Sequence, residues 1–150
     1  MLRRSLLGLS VLLLSGLAVA QTTALAVASV EARRFLSNTG QFSEPLLPNT
    51  PLWNAIVGEE PSTSTLVKVL VTAPPGSYSK TASVSLSVAT GNSGTRATVL
   101  RKRLGVFGPE GRQFVAFWLP DTGCQPVRLV ATVTGSTVGV TQLLPFRCGE

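Results

Sequence analysis

Few residues in this chain can do chemistry. Histidine is absent, so no imidazole metal ligand, His general base or Ser-His-Asp triad can be built from it. The two cysteines, Cys124 and Cys148, are too few for a Cys-rich zinc or iron–sulfur site. The acidic residues are Glu31, Glu44, Glu59, Glu60, Glu110, Asp121 and Glu150. A glycosidase needs two carboxylates facing one cleft. Glu59 and Glu60 are adjacent and point apart on an extended chain, while Asp121 sits in a Pro-Asp-Thr-Gly turn where aspartate is common. Ser77-Tyr78-Ser79-Lys80 has the Ser-x-x-Lys spacing of penicillin-recognising enzymes, which place it at a helix start. Here it follows Pro74-Pro75-Gly76 and reads as a polar hairpin loop. Asp121-Thr122-Gly123 matches the aspartic-protease triplet, yet that chemistry shares a proton between two aspartates and the chain has one. The expectation is a non-enzyme with no catalytic residue, no metal and no cofactor.

The basic residues are better organised. Arg96, Arg101, Lys102 and Arg103 fall on one candidate strand and Arg112 opens the next. Arg101 and Arg103 share a face. Such a row can contact an anionic envelope polymer, such as a glycan or phospholipid head groups. The aromatic interleaving of a nucleic-acid platform is missing, so no specific nucleic acid is expected. The commoner reading is an edge strand whose charges discourage pairing with other chains.

Strands must position these groups. Alternation is clearest over 82–88, where Val84, Leu86 and Val88 alternate with Ser83, Ser85 and Ser87, so one face is buried and the serine face wet. Thr65 to Thr72 is apolar on both faces except at Lys68, as in a central strand. Residues 113–119 are apolar from Phe114 on and are expected inside the molecule, with Trp118 in the core. Residues 95–104, 127–134 and 138–146 read as further strands, and 27–36 as a strand or a short helix. Turn chemistry breaks the chain every 10–20 residues, the rhythm of an all-β sandwich. Residues 37–61 hold four prolines and read as an irregular connection covering one end, with Trp53 either an exposed binding aromatic or, more commonly for tryptophan, a plug.

The cysteines fit this layout. Their midpoint is Ser136, in the Gly135-Ser136 turn. An antiparallel hairpin centred there sets Leu129 against Leu143, Val127 against Pro145 and Cys124 against Cys148. A structural disulfide is expected, because the Cys-x-x-Cys spacing of a redox pair is absent.

Composition supplies the address. Met1–Ala20 has a basic start (Arg3, Arg4), an apolar run from Leu6 to Leu17, and Ala18 and Ala20 before Gln21, the layout of a cleavable secretory signal peptide. The remainder, 21–150, is expected to be one exported β-sandwich domain, periplasmic or extracellular, with no transmembrane span after cleavage. The fraction of hydrophobic residues is 44%, near the globular average, and 14 glycines with 10 prolines fall short of a disordered low-complexity chain.

Several segments together resemble a known group: Phe117-Trp118-Leu119, Thr122-Gly123-Cys124, Pro126, Leu129-Val130-Ala131, the ending Pro145-Phe146-Arg147-Cys148-Gly149-Glu150, and Leu52-Trp53-Asn54 with Gly58-Glu59. Over about residues 50–150 the chain is similar to small exported bacterial proteins with immunoglobulin-like sandwiches. The resemblance implies an antiparallel sandwich of about seven strands and no assigned activity. It departs from antibody-type domains, whose cysteines span the two sheets around a Trp. The expected function is binding or structural contact in the envelope or outside the cell, with a protein or anionic polymer as partner. The alternative is inhibition of a protease- or lysozyme-type hydrolase by a rigid loop, with 74–80 and 105–111 as the candidate loops.

Overall fold

The computed structural model describes residues 24–48, 50–55, 64–91, 97–120 and 122–148. The segment 1–20 expected as a signal peptide, and Glu59, Glu60, Arg96, Asp121 and Glu150, lie outside the described residues. The elements are all strands: β1 (Ala26–Leu36), β2 (Gln41–Phe42), β3 (Leu52–Ala55), β4 (Thr65–Thr72), β5 (Ser83–Thr90), β6 (Ala97–Arg103), β7 (Arg112–Leu119), β8 (Val127–Val133), β9 (Val140–Leu144) and β10 (Phe146–Cys148). One sheet runs β2-β1-β4-β7 and the other β6-β5-β8-β9; all their pairs are antiparallel. A small parallel pair, β10-β3, completes the fold.

Period-2 alternation explains why the sheets face each other. Val67, Val69 and Val71 of β4 are fully buried, as are Val84 and Leu86 of β5, and Ala131 and Leu129 of β8. Each valine or leucine among them contributes roughly 1.5–3 kcal/mol when taken from water. β-Branched residues dominate this core because their stiff χ1 suits a pleated surface. Residues 27–36, open between strand and helix in the sequence, belong to β1.

The sequence-derived strands match well, with four corrections. First, the connection over residues 37–61 is not wholly irregular, since it carries β2 and β3. Second, the 138–146 strand divides into β9 and β10 at Pro145, which has no N–H to continue a ladder. Third, the β8–β9 hairpin is slipped by one: Leu129 faces Gln142 and Val127 faces Leu144. The hairpin turns between Gly135 and Ser136 instead of on Ser136, which puts Gln142 and Leu144 on the buried face. The cross-link survives the slip, and Cys124 is bonded to Cys148 with their Cα atoms 4.9 Å apart. Fourth, β7 is not buried on both faces. Val115, Phe117 and Leu119 point into the core, but Trp118 is 45% exposed and Phe114 59%.

The two long sides of the sandwich differ. Along β1 and β9, residues 43–46 close the gap: Ser43 N–H donates to Arg34 O (2.9 Å), Leu46 N–H to Ala32 O (2.8 Å), and Gln142 Nε2 to Leu46 O (3.3 Å). On the other side β6 and β7 are end strands of their sheets.

Candidate functional site

The outer face of the β2-β1-β4-β7 sheet is built in three rows by the strand register. Trp118 lies beside Leu66 and Arg33, Ala116 beside Lys68 and Glu31, and Phe114 beside Leu70 and Ser29. At one end Phe35 of β1 and Phe42 of β2 join Trp118 in an edge-to-face cluster, with ring centroids 5.5 to 6.4 Å apart. Phe42 is 44% exposed, so an apolar platform faces solvent at a place where antiparallel sheets ordinarily show polar residues.

A charge cluster interrupts this platform. Glu31 Oε1 accepts from Arg33 Nε at 2.8 Å and from Lys68 Nζ at 2.9 Å, and Lys68 Nζ also stands 5.4 Å from the Phe114 ring centroid. Hydrogen bonds from Arg33 and Lys68 hold the Glu31 carboxyl below its ordinary 4.5. A depressed carboxyl contributes stability above the unfolded value and loses it as pH falls through the folded one. Glu31→Gln is therefore expected to lower stability at neutral pH by at most about 1 kcal/mol, since the partners are partly exposed. The difference should start to shrink as the pH falls below 4.5 and vanish once it has passed the lower folded value. Urea titrations of both proteins across that window check this, and a gap that persists in acid would refute it.

The basic residues divide. Arg101 and Arg103 lie on the outer face of β6, where Arg101 Nε reaches Ser85 Oγ at 3.2 Å. Lys102 turns the other way and stands 5.6 Å from the ring centroid of the buried Phe117. Arg112 opens β7 in the other sheet and reaches Glu110 at 3.7 Å. They do not form one patch, because alternation sends neighbouring side chains to opposite faces. β6 is an end strand, the position at which charge discourages unwanted pairing.

The remaining candidates sit apart. Glu31, Glu44 and Glu110 lie on three different segments, and among the described residues no three His, Cys, Asp or Glu gather. Ser77 and Lys80 lie in the 73–82 loop, and no hydrogen bond joins them. No family model matches the chain, and no curated protein sequence does. Among the described residues no helix is long and apolar enough to cross a membrane.

The candidate loops 74–80 and 105–111 are laced together. Gly76 N–H donates to Phe107 O (3.0 Å), Phe107 N–H to Ser77 O (3.0 Å), and Ala73 N–H to Gly111 O (3.0 Å). Phe107 is buried beneath them, while Tyr78 and Val106 project, 59% and 66% exposed. Reading the sequence for chemistry missed the aromatic face. Its signal was present in Phe114 and Trp118, which share one parity on β7.

Proposed function

We propose that this chain is an exported sandwich module that works by contact and not by catalysis. The observation that carries the reading is the aromatic face of Phe35, Phe42, Phe114 and Trp118 around a compact charge cluster. Exposed aromatic residues supply much of the energy of protein contacts, and monomeric proteins seldom leave them grouped. Export is supported by the Met1–Ala20 pattern and by the disulfide, which persists in oxidising compartments. An immunoglobulin-like arrangement is supported by the seven longer strands. The first, second and fifth share one sheet, while the third, fourth, sixth and seventh share the other, the partition of strands A, B, E and C, F, G with the fourth strand beside C in the place of C′ and not of D.

The test is co-sedimentation of the mature protein with isolated cell envelope at low and high salt. Retention is expected to survive salt and to fall at least about tenfold in Phe42→Ala/Trp118→Ala. Retention indifferent to that double variant overturns the aromatic reading. Retention that disappears with salt transfers the role to the Arg101 and Arg103 face of β6 against an anionic polymer.

The laced loops favour hydrolase inhibition as a second reading, because a braced projection with an exposed Tyr78 loses little entropy on binding. Tight one-to-one inhibition of a protease or lysozyme, weakened by Tyr78→Ala, is its expected result.

A further inference from the structure

The open side of the sandwich pairs two unlike edges. β6 carries Arg101, Lys102 and Arg103, whereas β7 is charged only at its first residue, Arg112, and residues 113–119 contain no charge, proline or glycine. β7 also keeps unbroken register with β4 over its full length. A long, regular end strand without such protection is a template for another strand. Between the two edges lies a cleft of about 310 Å³, lined by Val88, Leu100, Leu119 and Val127, with Thr90 and Thr98 among its hydroxyls. Thr98, Leu100 and Lys102 share one face of β6. The first two line the cleft, and Lys102 stands over Phe117 without an ion pair among the described residues.

We propose that an extended segment of a partner protein adds along β7 as a further strand and places alternate side chains between the sheets. This rests on the contact-module reading and names its partner. Backbone hydrogen bonds to the β7 edge supply affinity, and side chains of one parity supply specificity. The residue beside Leu100 and Leu119 is aliphatic, to fill the cleft. The residue two positions away, level with Phe117, is acidic and meets Lys102. Side chains of the other parity pack against Phe114 and Trp118. A second copy of this chain fits worse, because joining two β7 edges brings two Arg101-Lys102-Arg103 rows together.

The probe is a fluorescent peptide of alternating threonine and valine with one valine replaced by glutamate, titrated into the mature protein by anisotropy. Saturable binding is expected, and N-methylation of alternate residues in the peptide should weaken it at least about tenfold by removing ladder bonds. Lys102→Glu, an exposed substitution, should weaken the glutamate peptide and restore binding to its lysine counterpart. Equal binding of the N-methylated peptide, or no charge-swap rescue, overturns the proposal. So does dimerisation of the protein alone, by sedimentation velocity, that the peptide does not reverse. No envelope is present, so this assay and the co-sedimentation test fail independently.

Discussion

Gly111→Ala is expected to destabilise the domain by roughly 2–5 kcal/mol, whereas Gly40→Ala should cost only about 1–2 kcal/mol. Both glycines have positive φ, +63° and +67°, where any L-residue is strained. They differ in what surrounds them. A Cβ on Gly111 would lie 2.3 Å from Ala73 O and 3.4 Å from Pro75 Cδ, while nothing lies within 4 Å of one on Gly40. The obstacle at Gly111 is backbone, so relief requires the two loops to separate and the Ala73–Gly111 hydrogen bond to break. Phe107, buried below, would then be exposed. Urea unfolding of the two variants decides the matter, and equal midpoints would show that backbone strain alone operates. If the laced loops are an inhibitory projection, Gly111→Ala should also weaken inhibition with Tyr78 intact.

β4, β5, β7, β8 and β9 were legible because each buries at least one face, which writes alternation or a solid apolar run into the sequence. β1 stayed open between strand and helix, and β6, exposed at every position but Leu100, left a weaker signal. β2 and β3 were not legible, since strands of two and four residues within a proline-rich stretch leave too few positions for a period. Trp118 shows the limit of pattern reading. Phe-Val-Ala-Phe-Trp-Leu is apolar at both parities, and composition cannot separate a strand buried on both faces from one with an exposed aromatic face. Trp53, expected as a plug, is likewise 47% exposed, on β3 in register with Arg147. Its carbonyl instead accepts from Arg34 Nη1 at 2.8 Å, a contact across 19 residues that has no local signature. The basic row was visible and alternation already set Lys102 on the face opposite Arg101 and Arg103, but the end position of β6 and the placing of Arg112 in the other sheet are properties of topology.

Removing the disulfide is expected to cost about 3–3.5 kcal/mol, because a cross-link spanning 24 residues withdraws that much loop entropy from the unfolded chain. Against the roughly 5–15 kcal/mol of a typical domain, this is a large share. The loss should start locally. Cys148 ends β10, whose parallel pairing with β3 joins residues almost a hundred positions apart and is short. Phe146, fully buried, anchors one end of β10 and the cross-link anchors the other. In Cys124→Ser/Cys148→Ser carrying Trp118→Phe, so that Trp53 on β3 is the one tryptophan, its fluorescence should therefore change at lower urea than strand content by circular dichroism. Reduction of the Trp118→Phe protein should reproduce both the lowered midpoint and the early change. A midpoint unmoved by reduction would mean that β-sheet packing alone holds the carboxyl end.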